Sequence, residues 1–347
     1  MLKRKTYLQV LSVLSCFAVI FLHVNHCFWD FGYEDYWILA NFIESIMYFA
    51  VPVFFMITGA TLLNYRKRYS TKKYFQKRIH KVVIPYVIWS IIGILFMLAY
   101  RRIALEDISL KMIVDTFMNG NVVTVYWYFI PLFAVYLSIP VLSSIEENQQ
   151  QNIFGYMIII SFMTVSLLPL VFKLIDIPYN GSLQFPVGMN HIIFVLIGYY
   201  VDHYVDHYEL SKKQRMMIYV LGILGFLAHW LGTWYASYQI GEVSRLWKGY
   251  TNAPSVLYAS AIFVFFKYFP NESIMNVLEK VSSYFKNVTF GTYLIHWYII
   301  QMILTILPIS QRQVIYRIIG PFVIMIICSM IIKTMQKIPM IKNSVPK

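Results

Sequence analysis

The stretch that decides the fold is Leu8-Gln9-Val10-Leu11-Ser12-Val13-Leu14-Ser15-Cys16-Phe17-Ala18-Val19-Ile20-Phe21-Leu22-His23-Val24-Asn25-His26-Cys27-Phe28. No acid, lysine or arginine interrupts it. A helix crossing a bilayer needs about 20 mostly apolar residues. Residues 8–28 therefore read as a membrane span. The run is too long for the apolar core of a cleaved signal peptide, and no small-residue cleavage site follows it.

The same test, carried outward, predicts nine more spans: 38–63, 82–100, 125–144, 153–173, 190–205, 216–235, 254–269, 289–307 and 314–334. Those at 190–205 and 254–269 are short. The expected fold class is all-α, a polytopic membrane helix bundle of about ten transmembrane helices. The whole length, 1–347, reads as a single integral-membrane domain, with no low-complexity linker and no defensible internal repeat.

Composition agrees. The 347 residues are 59% hydrophobic and 13% charged, with 18% aromatics and a mean hydropathy of +0.60. A soluble domain carries roughly 25% charged residues and covers itself with them; this chain cannot. Three scattered cysteines, Cys16, Cys27 and Cys328, suggest neither a disulfide framework nor a zinc knot.

The net charge of +13 does not point to nucleic acid. With the N-terminus inside, twenty Lys and Arg fall in inside segments and eight on the outside. That asymmetry is the positive-inside rule at work, and an even span count returns the C-terminus to the cytoplasm. The expected location is a cell membrane, multi-pass, of the bacterial plasma-membrane kind. The first outer loop agrees, with Asp30, Glu34 and Asp35 and no cation.

Ionisable groups inside spans are costly and mark candidate sites. His23 lies fifteen residues into the first span, roughly 22 Å across at 1.5 Å per residue. Glu44 lies six residues into the second span, which enters from outside, roughly 9 Å down. Both fall at similar depth in the outer half. His296 counts nearer the inner half. A helix–helix hydrogen bond explains a lone membrane histidine equally well, and a solvated surface position explains Glu44. His23 and His26 share a helix face, but zinc wants three or four ligands and no further pair has suitable spacing. No metal is expected.

The loop from Asn64 to Lys81 is strongly basic. Its first cluster, Arg66-Lys67-Arg68, suits topology and anionic lipid. Its second runs straight into a span. There Arg78 and Lys81, three apart, would share a face and offer phosphates a planar fork and a point charge.

Taken in order, five fragments resemble the integral-membrane acyltransferase family 3. They are Leu11 to His23; Val51-Pro52-Val53-Phe54-Phe55-Met56-Ile57-Thr58-Gly59; Lys77-Arg78-Ile79-His80-Lys81-Val82-Val83-Ile84-Pro85-Tyr86; Trp127-Tyr128-Phe129 with Tyr136 and Pro140; and Gly291-Thr292-Tyr293-Leu294-Ile295-His296. The likeness runs from residue 7 to about 335. Two positions depart from the family pattern: Ser12 stands where an arginine is usual, and Lys81 replaces the second arginine of an Arg-x-x-Arg pair.

The resemblance implies ten helices and transfer of an acyl group, usually acetyl from acetyl-CoA, to sugars of cell-envelope polymers. It implies His23 as base or acyl relay and Arg78 with Lys81 as holders of the CoA phosphates. Trp127, Tyr136 and His296 would contact substrate. A pairing of Glu44 with His23 is an inference from depth, not from the family. The expected partners are an acyl-CoA donor, a carbohydrate acceptor and membrane lipid. With no appended soluble domain, the chain resembles the short stand-alone members that modify capsule or other surface polysaccharides. The competing readings are a transporter or flippase for a lipid-linked sugar, and a scaffold without chemistry. A transporter would usually carry inverted repeats, and none is evident.

Overall fold

A computed structural model describes residues 2–188, 190–204, 210–339 and 341–346. No strand occurs among them. The helices are α1 (Leu2–Val24), α2 (Asp35–Met47), α3 (Ala50–Leu62), α4 (Thr71–Arg78), α5 (Ile84–Ala99), α6 (Leu110–Asn119), α7 (Phe129–Leu142) and α8 (Glu147–Ser161). They continue with α9 (Leu168–Leu174), α10 (Ile192–His203), α11 (Lys212–Leu227), α12 (Thr233–Ile240), α13 (Ala253–Lys267), α14 (Glu272–Phe285), α15 (Thr289–Ile306) and α16 (Val314–Met335).

Every predicted span overlies a helix. Among the described residues eight helical stretches are long and apolar enough to cross a membrane, and α13 with α14, bent by 104°, can make a ninth. The two spans that looked short are the exceptions: α10 is a 12-residue apolar helix, and α13 stops after 15 residues. Residue 205, the expected end of the sixth span, and Lys347 of the basic tail lie outside the described residues. Two amphipathic helices, α6 and α14, occupy stretches that the hydropathy reading left as loops.

Breaks in the long spans have local causes. Pro52 has no N–H and its ring clashes with the preceding turn. The second span accordingly breaks at Tyr48 and Phe49, between α2 and α3. Three further spans each hold a π-helical segment, Ile79–Val83, Phe162–Leu167 and Ala228–Gly232. Such insertions shift the register of side chains and often sit at functional positions.

At the centre, α3 crosses α10 and α1 packs on α3, α15 and α16. The crossing of α3 and α10 is backbone on backbone. A Cβ on Gly59 would lie 1.9 Å from the Val195 carbonyl oxygen, and one on Gly198 would lie 2.0 Å from that of Met56. Without water to drive association, membrane helices gain most from such close approach of small residues. Elsewhere polar groups tie helix ends together. Tyr7 donates to Asp202 at 2.8 Å. Lys267 donates to the carbonyls of Val201 and Asp202. Asn25, at the end of α1, donates to the Ala40 carbonyl at 2.8 Å. That last bond sets α1 against α2, and with it His23 against Glu44.

Candidate functional site

A cavity of about 590 Å³ opens at the end of the bundle where α1 and α2 are joined. His23, Glu44, Tyr48, Trp127, Lys248 and Tyr293 line it, with His26, Trp29 and Arg245 also on its wall. His26, Trp29 and Arg245 are exposed, so they form the mouth, and His23 is half-buried inside. Five separate stretches of chain meet here: α1, the broken α2–α3 span, the segment before α7, α15 and the loop between α12 and α13.

The break made by Pro52 matters locally, because it lets Tyr48 turn inward. The Tyr48 and Tyr250 rings stack at 4.3 Å with an 8° interplanar angle, and Tyr250 stacks on Trp127 at 5.3 Å. The result is a flat aromatic wall. Behind it, His229 packs on Tyr48 at 4.6 Å.

Glu44 does not reach His23 as the depth argument expected it to. Its Oε1 lies 3.0 Å from Lys248 Nζ, and both side chains are buried. The Lys248 ammonium also stands over the Tyr48 ring at 4.0 Å and the Phe28 ring at 4.5 Å. Burial pulls Lys248 below its ordinary pKa, and Glu44 opposes that shift without cancelling it. Glu44 Oε2 is buried with no hydrogen-bond partner among the described residues. His23 and Glu44 thus share a cavity, but the carboxylate's ionic partner is a lysine.

His23 instead neighbours His296. Their ring centres are 5.1 Å apart, tilted by 35°. The span count placed His296 nearer the inner half. Counting along single spans ignores tilt and the offset between helices, and the contact shows that the two rings lie at one level.

A second cavity, about 190 Å³, lies further along the bundle. Ser12, Thr58, Tyr136 and Thr289 line it, and Tyr293 lines both cavities. Ser12 and His23 are eleven residues apart on one continuous helix, three turns and about 16 Å, so one face of α1 serves both cavities. The Arg78 guanidinium lies over the Tyr136 ring at 5.5 Å and the Tyr74 ring at 5.9 Å, which places it at the edge of the second cavity.

Lys81 takes another direction. It borders a pocket formed with Gln336, Lys342, Asn343 and Pro346. Arg78 and Lys81 do not form the paired face expected of an α-helix, because the π segment Ile79–Val83 lies between α4 and α5 and changes the register. The first basic cluster is engaged with protein: Arg66 donates to Ser143 Oγ and the Pro140 carbonyl, and Lys67 pairs with Glu147.

A family model described as an acyltransferase domain matches residues 5–334, nearly the whole chain. The chain belongs to the integral-membrane acyltransferase family 3. It is a membrane enzyme that transfers an acyl group. No curated protein and no solved structure matches it. The family match does not favour the transporter reading.

Reading the sequence of this acyltransferase missed Lys248, Tyr48, Tyr250 and Tyr293 as wall residues. Tyr293 carried a weak signal, since it precedes His296 by three residues and shares its helix face. Lys248 carried only a cation flanked by Trp247 and Tyr250 in a loop, which any membrane-interface loop can show.

Proposed function

We propose that this acyltransferase moves acetyl from acetyl-CoA to a sugar hydroxyl of a cell-surface polysaccharide or its precursor. It works in a bacterial plasma membrane with both termini cytoplasmic. The observation that carries the reading is the pair of cavities along one face of α1, joined at Tyr293. One holds His23 and an aromatic wall, and the other lies beside Arg78.

A hydroxyl is a weak nucleophile until a base takes its proton, and a histidine suits that role near neutral pH. His23 accepts the proton of the acceptor hydroxyl. The oxygen attacks the thioester carbonyl carbon, the carbon–sulfur bond breaks, and the thiolate leaves with the proton returned by His23. Arg78 holds a phosphate of the donor at the cytoplasmic side, and the thioester arm reaches along the bundle toward His23. Lys81, on its separate pocket, contacts the outer part of the donor.

The acceptor enters from the mouth at Trp29 and Arg245, the side that the charge bias assigns to the outside. Flat aromatic walls with a few placed polar groups suit the apolar faces of sugar rings. Trp127 contributes to that wall, while Tyr136 faces the donor cavity. Glu44, held by Lys248, uses its second oxygen to accept from a neighbouring sugar hydroxyl.

The test is turnover of labelled acetyl-CoA by detergent-purified protein, read as CoA release, with mass analysis of surface glycans from cells with and without the protein. His23→Ala should lower turnover by about 10²–10⁴-fold while the protein still runs as a monodisperse species, and His26→Ala should matter less. Near-normal turnover in His23→Ala refutes the catalytic assignment. Unchanged glycans refute the acceptor class.

A further inference from the structure

We infer that His296 is a positioning residue for His23: it holds the His23 ring in the one tautomer whose free nitrogen faces the acceptor. The inference rests on the proposed role of His23 as base. It replaces Glu44, which the sequence suggested for this task, by a histidine thirteen spans' loops away in the chain but adjacent in space.

The argument begins with a hydrogen bond inside α15. His296 Nδ1 lies 2.6 Å from the Tyr293 carbonyl oxygen. A carbonyl only accepts, so Nδ1 carries the proton and donates. The neutral ring is then settled: Nε2 has no proton and is an acceptor. That Nε2 is buried with no hydrogen-bond partner among the described residues, on a side chain with no exposed surface. An unpaired buried acceptor costs about 1–3 kcal/mol, so a donor is expected to meet it during the working cycle.

His23 is the adjacent ring, 5.1 Å centre to centre, and it lines the cavity. An N–H of His23 turned to His296 Nε2 satisfies the orphaned acceptor. It also leaves the other His23 nitrogen with its lone pair toward the cavity, which is what a general base needs. Glu44 is unsuited to this task because Lys248 already holds it at 3.0 Å. The relay therefore runs from the Tyr293 carbonyl to His296, from His296 to His23, and from His23 to the acceptor hydroxyl. When His23 takes the proton its ring is cationic, and its bond to His296 strengthens without any heavy atom moving.

Glutamine and asparagine separate this role from simple packing. His296→Gln can set its amide oxygen where Nε2 was, while His296→Asn keeps a donor for Tyr293 and loses the acceptor toward His23. We expect His296→Asn to lower the maximal rate of CoA release at least ten-fold with KM for acetyl-CoA unchanged, and His296→Gln to restore most of it. A second measurement does not need turnover. Purified protein is treated with diethyl pyrocarbonate at one pH, and modification of His23 is compared with that of His26 by peptide mass analysis. His23 labelling should slow several-fold in His296→Asn and stay near normal in His296→Gln, with His26 unchanged. Equal His23 labelling in the two variants overturns the inference. The contrast in labelling without any acetyl-CoA turnover in the unmodified protein would keep the His23–His296 coupling and sink the acetyl-transfer reading instead.

Discussion

Glu44 Oε1 and Lys248 Nζ meet at 3.0 Å, both buried, one from the second span and the other from the loop before α13. Removing one member of such a pair leaves a buried charge without compensation, which costs about 3–5 kcal/mol, whereas removing both is often close to neutral. Glu44→Gln and Lys248→Met alone should each lower the unfolding midpoint in detergent strongly. The double variant should recover most of the loss. Additive losses in the double variant would mean that the two side chains act independently.

Arg78 and the earlier basic residues differ in what they touch. Arg66 and Lys67 already have protein partners, while Arg78 sits over Tyr136 at the second cavity. Arg78→Ala should weaken acetyl-CoA binding by about ten-fold or more, the worth of a charge-assisted contact of roughly 1.5–3 kcal/mol. Arg66→Ala and Lys67→Ala should change it little. Lys81→Ala should fall between them, because its pocket is separate. Equal effects at all four positions in a binding titration would mean that the cluster serves lipid and topology alone.

Topology can be read directly. Reporters fused after Tyr33, Asp107 and Gly181 should report the outside, and those after Tyr69, Gln149 and Lys213 the inside. The motive is the twenty-to-eight distribution of Lys and Arg. Two or more reversed reporters would sink the ten-span arrangement.

Gly59 tests the packing of the bundle apart from its chemistry. Its missing Cβ would strike the Val195 backbone at 1.9 Å, and a backbone cannot step aside as a flexible side chain can. Gly59→Ala should destabilise the protein by at least about 3 kcal/mol, the upper part of the range for overpacking. Size-exclusion chromatography after mild heating should show aggregation well below the midpoint of the unmodified protein. An unchanged midpoint would mean that α3 and α10 separate at no cost.

Hydropathy, charge bias and motif order were sufficient for the class of molecule, because each is local. Twenty apolar residues have to bury their backbone in a helix wherever they stand. The bilayer therefore makes span positions readable without knowledge of any contact, and all ten predicted spans overlie helices. The same local logic singled out His23, Glu44, Arg78 and His296, since an ionisable group in or at the edge of an apolar run is conspicuous by itself.

What the residues do to one another was decided by packing. Glu44 pairs with Lys248 rather than His23 because the loop between α12 and α13 folds back over the cavity, and no pattern in that loop announces its path. Arg78 and Lys81 part company because a π segment shifts the register between them, where three-residue spacing had implied one face. His296 stands beside His23 although 273 residues separate them, because α1 and α15 pack together. Local chemistry acts over a few residues and leaves its mark on the sequence. Contacts between helices depend on tilt, offset and rotation, which are settled only when all the spans pack at once.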